Sequence, residues 1–274
     1  MKIPINRTRF WPPIEVPTAD PLVGEMQGFS GIGAHEDALK TARKILGRER
    51  NAGEAFYAAL QVIMKQEDNL EKWKDCVERA YGRLARVSQK EVRFWMVVFH
   101  ASCGNYARVA ELLPKRFSRN DNLLELCYAM DAMLALGRLE EAAKLVPKIG
   151  LGIKAAAQDE MKDLLTGALA DYFARVKQWG IAADLWRALA EGNTMAESGI
   201  KGLVDIGVAQ ALDAVETGLI AIERLRKSFD PEVELTLPGN EKKRWNELEK
   251  HLLERKKALE KLMPAEDRRR FGIG

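Results

Sequence analysis

The chain has 274 residues, 47% hydrophobic and 30% charged, with a formal net charge of +3. That composition excludes a disordered polymer, and no apolar run approaches the length of a membrane span. A chain of this length buries roughly three-quarters of its unfolded surface. The charge is uneven: residues 240–274 carry 11 Lys or Arg against 7 Asp or Glu, which leaves the rest of the chain near neutral.

Residues 1–33 contain Pro4, Pro12, Pro13, Pro17 and Pro21, followed by Gly24, Gly28, Gly31 and Gly33. Proline removes a backbone donor and fixes φ, so helix is excluded through most of this stretch. Ile3, Ile5, Phe10, Trp11, Ile14 and Val16 make it too apolar for a plain linker. It is predicted to be an extended arm, lying on the body of the protein or on a second protomer. The opening segment also lacks the hydrophobic core of a signal peptide. Gly31-x-Gly33 follows no predicted strand and makes no phosphate loop.

Helices are predicted over 34–47, 54–66 and 69–87 from apolar positions recurring at helical spacing. Residues 90–103 are strand-like in composition, but their length and their place before Gly104 favour helix. Residues 122–148 read as two helices folded back on each other. Asn122 caps the first, with Glu125 placed as a capping-box acid, Gly137 turns the chain, and Pro147 ends the second. Helices over 154–177, 179–191, 194–206 and 208–228 follow. The stretch 230–239 is a break, and a final helix over 240–263 carries Trp245, Leu248, Leu252, Leu259 and Leu262 as the apolar seam of a capping helix.

The segment from Gly104 to Lys115 aligns without a gap with the one from Gly137 to Lys148, a spacing of 33 residues. Such a period marks stacked helical hairpins. Gly137, Leu139, Ala142 and Val146 supply a turn glycine, a second-helix leucine, a small contact residue and a bulky closing residue. Lys177, Trp179, Ala182 and Trp186 repeat the order with lysine for glycine, and Gly104, Tyr106 and Leu113 match it with Val109 at the small position. Weaker echoes begin at Gly33, at Leu70 and at Gly207, so His35, Leu70, Tyr106, Leu139, Trp179 and Ala209 mark successive second helices. This pattern resembles the tetratricopeptide repeat family. The resemblance implies an all-α fold, a right-handed superhelix of about five to six hairpins over residues 34–228, between an arm at 1–33 and a basic capping region at 229–274.

It also implies a protein–protein interaction scaffold or adaptor, whose first helices line a concave groove for a peptide or protein. By register with Asp131, that groove includes Phe94, Val98, Cys127, Asp131, Asp171 and Arg175. The Lys, Arg and Asn set with which some members grip a terminal carboxylate is missing. The alternative is an RNA-binding helical solenoid that uses the basic C-terminal tail. The near-neutral body argues against nucleic acid as the main partner.

Enzyme chemistry finds no constellation. His35-Glu36 opens like a zinc-protease helix, but the second His falls at Leu39. Ser198 and Lys201 have acyl-transfer spacing without a partner motif. His100 reads as a core residue, and Arg268-Arg269-Arg270 as a weak anion site. Cys76, Cys103 and Cys127 are an odd set without metal-ligand spacing, which predicts free, buried thiols in the cytoplasm. No metal, cofactor or membrane is expected, and the chain is a monomer or homodimer.

Overall fold

The computed structural model describes residues 20–114, 117, 122–192, 194–227, 230, 234–236 and 242–273. The fold is all-α, and the chain divides into two compact units, one ending at Arg138 and the other beginning at Leu139. The boundary falls in the Gly137 turn, inside the span predicted to be one repeat domain.

The first unit contains α1 (Pro21–Gly31), α2 (His35–Gly47), α3 (Gly53–Gln66), a 3-10 turn (Leu70–Trp73), α4 (Lys74–Arg83), α5 (Arg86–Ser102), α6 (Tyr106–Leu112) and α7 (Leu123–Ala135). The second contains α8 (Leu139–Ala155), α9 (Asp159–Arg175), α10 (Trp179–Glu191), α11 (Ala196–Arg226), β1 (Glu234–Thr236), β2 (Lys242–Arg244), α12 (Trp245–Leu262) and α13 (Ala265–Arg270). The two strands form an antiparallel ribbon, with Leu235 opposite Lys243.

α1 corrects the expectation of an extended arm over its own residues. Pro21 stands at the helix start, where its missing donor costs nothing, and Asp20 accepts from Leu22 N at 3.1 Å. Val23 and Met26 are fully buried, so packing outweighs the weak helix propensity of three glycines. Arg48, just past α2, holds Asp20, and Gln66 of α3 donates to Ser30 at 2.6 Å. This part of the arm therefore packs on its own chain. Phe10 and Trp11 lie outside the described residues.

The same turn recurs five times among the described residues, the fifth at Gly272, where Ile273 N–H donates to the Arg268 carbonyl. Gly33, Gly104, Gly137 and Lys177 all have positive φ, between 61° and 78°. At each, the next residue's N–H donates to the carbonyl five residues back: Ala34 to Phe29, Asn105 to His100, Arg138 to Met133 and Gln178 to Phe173. This is the Schellman closure of a helix C-terminus, which needs a left-handed residue and so favours glycine. The small-position residues Ala38, Val109, Ala142 and Ala182 are all fully buried.

Two of the weaker echoes fall elsewhere. Leu70 opens the 3-10 turn, and Gly207 and Ala209 lie inside α11, which runs unbroken for 31 residues where two helices were expected. Ile206, Ala209, Leu212 and Val215 are buried at helical spacing on both sides of Gly207, so the stripe carries the helix through. Pro147 likewise sits inside α8 rather than ending it; Leu145 and Ile149, buried on either side of it, keep the helix against its neighbours. Asn122 does cap α7, accepting from Leu124 N at 3.0 Å, but Glu125 turns to Arg93 instead of closing a capping box. The final helix starts at Trp245, because residues 242–244 are strand.

In the first unit Phe56, Leu60, Ile63, Met96 and Phe99 form the centre of one apolar core. In the second, Leu164, Leu165, Trp186, Leu212 and Phe271 are fully buried. Each such side chain contributes roughly 1.5–3 kcal/mol. α12 packs along α11, with Lys256 paired to Glu216 at 2.8 Å and Arg226 to Glu249 at 2.7 Å. Among the described residues, no helix is long and apolar enough to cross a membrane.

Candidate functional site

The residues expected to line one groove fall into both units. Phe94, Val98, Cys127 and Asp131 belong to the first, Asp171 and Arg175 to the second. Val98 and Cys127 are fully buried and Asp131 is 2% exposed, so none of the three offers a surface to a partner. Their registers face the helix layer, which suits a helix as apolar as α7. Phe94 is half-buried and does reach the surface.

Phe94 belongs to a ladder of aromatic rings across α3, α5 and α7. Tyr57 lies 4.7 Å from Trp95, Trp95 5.2 Å from Phe94, and Phe94 6.2 Å from Tyr128, measured between ring centroids. The contacts are tilted or edge-on, the arrangements that ring quadrupoles favour. α5 packs against both α3 and α7, which brings the rings together. Trp95 is half-buried like Phe94, while Tyr57 and Tyr128 are buried beside them. Tyr57 accepts from Gln61 at 2.8 Å, and burial pushes its hydroxyl up to about 12, so it stays a neutral phenol. Next to Phe94, Arg93 donates to buried Glu125, which lies one turn before Tyr128, at 2.8 Å, tying α5 to α7. Sequence reasoning found Phe94 and missed Tyr57, Trp95 and Tyr128. Trp95 and Tyr128 each lie one residue after a position of the register built on Asp131, Phe94 and Cys127.

In the second unit, Asp171 and Arg175 project from α9 and meet the chain's own segment Arg268–Ile273. Arg270 donates to Asp171, and its other terminal nitrogen lies 3.8 Å from Asp205 of α11. Arg175 donates to the Arg269 carbonyl; burial shifts its guanidinium downward, though an arginine remains charged. Arg270 stands 5.8 Å from the Trp186 ring centre and 4.9 Å from that of Phe271, which faces Trp179 at 6.5 Å. The arginine run expected to reach outward as an anion site is therefore largely engaged, since Arg268 also pairs with Glu260 at 2.6 Å.

His100 is fully buried at the end of α5, with Nε2 2.9 Å from Glu78 and Nδ1 3.4 Å from the Asn105 amide. Arg108 shares Glu78 at 2.7 Å. Desolvation holds the imidazole below its usual range, which fits a core residue. Cys127 is buried, and Cys76 and Cys103 are half-buried. Burial pushes Cys103 up to about 12, far from a reactive thiolate. Among the described residues no three His, Cys, Asp or Glu gather as a metal site. No protein-family model, curated protein or solved structure matches this chain.

Proposed function

We propose that this chain is a helical-repeat scaffold that binds a peptide or protein along the face formed by α3, α5 and α7. The observation that carries the reading is the aromatic ladder, with Phe94 and Trp95 half-buried between two buried tyrosines. Partly exposed, rigid aromatics supply contact area at low conformational cost and recur as anchors of protein interfaces. The recurring left-handed turn supports stacked hairpins of the tetratricopeptide kind, assembled as a right-handed superhelix. The pairing of Arg268 and Arg270 with acids favours a protein partner over RNA.

The test is affinity capture from native lysate after nuclease digestion. A protein retained by the unaltered chain is expected to be lost with Phe94→Ala while helix content and melting stay near native. Retention of the same protein by a folded Phe94→Ala variant rejects the ladder as the binding surface, and recovery of nucleic acid alone rejects the scaffold reading.

A further inference from the structure

The surroundings of Arg270 are organised as a receptor is around a ligand. Trp186 lies flat on α11 because residue 202 is glycine; a Cβ there would collide with its ring. The ring so placed forms one wall for the Arg270 guanidinium, and Asp171 and Asp205 supply acids on two other sides. Arg175 takes the backbone carbonyl of residue 269, a contact blind to the side chain there. Residue 272 has φ +70°, which closes α13 and favours glycine, and a Cβ there would press on the Arg175 guanidinium at 2.8 Å. Phe271, fully buried, fills the remaining apolar space beside Trp179. Arg270 is thus met by all three helices, Phe271 by Trp179 of α10 and residue 272 by Arg175 of α9. The fit is incomplete: the buried Trp186 Nε1 and Arg270 Nε have no hydrogen-bond partner among the described residues. A buried donor left unmet weakens an occupant relative to one that meets it.

We propose that α9, α10 and α11 form a docking socket for a peptide segment of arginine, aromatic residue and glycine, and that Arg268–Ile273 is its occupant in cis, displaced by a partner segment of the same chemistry. The socket lies in the second unit and shares no residue with the aromatic ladder, so it stands or falls separately from the scaffold proposal. In this arrangement the chain holds its own competitor: the apparent affinity for an outside segment is reduced by the fraction of time the socket is filled.

The probe is a fluorescein-labelled peptide carrying residues 266–273, and the host is the full chain with Arg270→Ala and Phe271→Ala. Saturable binding about tenfold tighter than to the unaltered chain is expected. That binding should vanish when the peptide carries alanine for phenylalanine, or when the host also carries Asp171→Ala. Equal binding of a scrambled peptide, equal binding to the unaltered chain, or none to an opened host of native helix content overturns the socket. Hydrogen exchange of the unaltered chain decides the matter even if the opened host unfolds. Amides of 265–273 exchanging about tenfold faster than buried amides of α9 and α11 are expected of a releasable segment. Shared protection at the rate of global unfolding makes it a fixed part of the core and overturns the proposal.

Discussion

His100 shows how a single burial sets a pH dependence. Its neighbours are Glu78, Arg108, Lys74 and Asn105, and desolvation outweighs the attraction of Glu78, so the folded imidazole titrates below the ordinary value of 6.5. The unfolded chain therefore takes up a proton first as pH falls. Stability is full above pH 6.5 and is lost below it, by at most about 1.4 kcal/mol per pH unit. Melting temperature should drop between pH 7.5 and 5.5, and His100→Gln should flatten that drop; an equal slope in the variant would show that another group is responsible. Glu67 acts in a separate window. Lys72 first, with the Asn69 amide and the Trp73 indole, holds its carboxyl at about 2 against an ordinary 4.5. Its stabilisation is present above pH 4.5 and is lost as pH falls toward 2, so Glu67→Gln should lower stability above pH 4.5 and flatten the loss between pH 4.5 and 2. The sequence already read His100 as a core residue from the apolar helix around it. It did not reveal Glu67 as a hub, because that depends on where Lys72 and Trp73 fall in a turn with no periodic signal.

Two glycines of α11 separate packing from propensity. Gly202 meets the Trp186 ring, whereas a Cβ at Gly207 would meet nothing within 4 Å. Gly207→Ala should stabilise by about 0.5–1 kcal/mol, the helix-propensity gain. Gly202→Ala should destabilise by roughly 1–3 kcal/mol, the cost of overpacking. Chemical denaturation of both variants checks this, and a loss at Gly207 would mean that the helix is broken there. The turn glycines obey the opposite rule: Gly104→Ala should cost about 1–2 kcal/mol, because its φ of +71° brings Cβ against the carbonyl. The turns at Gly104 and Gly137 were legible because a left-handed residue favours glycine, and that at Lys177 from the Trp179, Ala182 and Trp186 that follow it. α1, the passage of α8 through Pro147 and the unbroken α11 were not. In each, burial of apolar side chains on both sides of a poor helix former decides the outcome, and that burial depends on distant partners.

In the first unit, α3, α5 and α7 bring Tyr57, Trp95, Phe94 and Tyr128 into successive ring contact, which no single helix could do. The all-α class followed from periodicity and repeat spacing. The division between Arg138 and Leu139 did not, since it falls at a turn that looks like its neighbours. Five of the six expected groove residues are buried or engaged with the chain itself: Val98, Cys127, Asp131, Asp171 and Arg175. Phe94 is the one whose ring reaches the surface beside another aromatic. Replacing Phe94 by the photoreactive benzoylphenylalanine and irradiating the full chain in native lysate probes that surface directly. The scaffold account expects a discrete, nuclease-resistant polypeptide adduct at position 94, and none from the same probe at exposed Ile32. An adduct that disappears with nuclease, or no adduct from a folded chain, would contradict it.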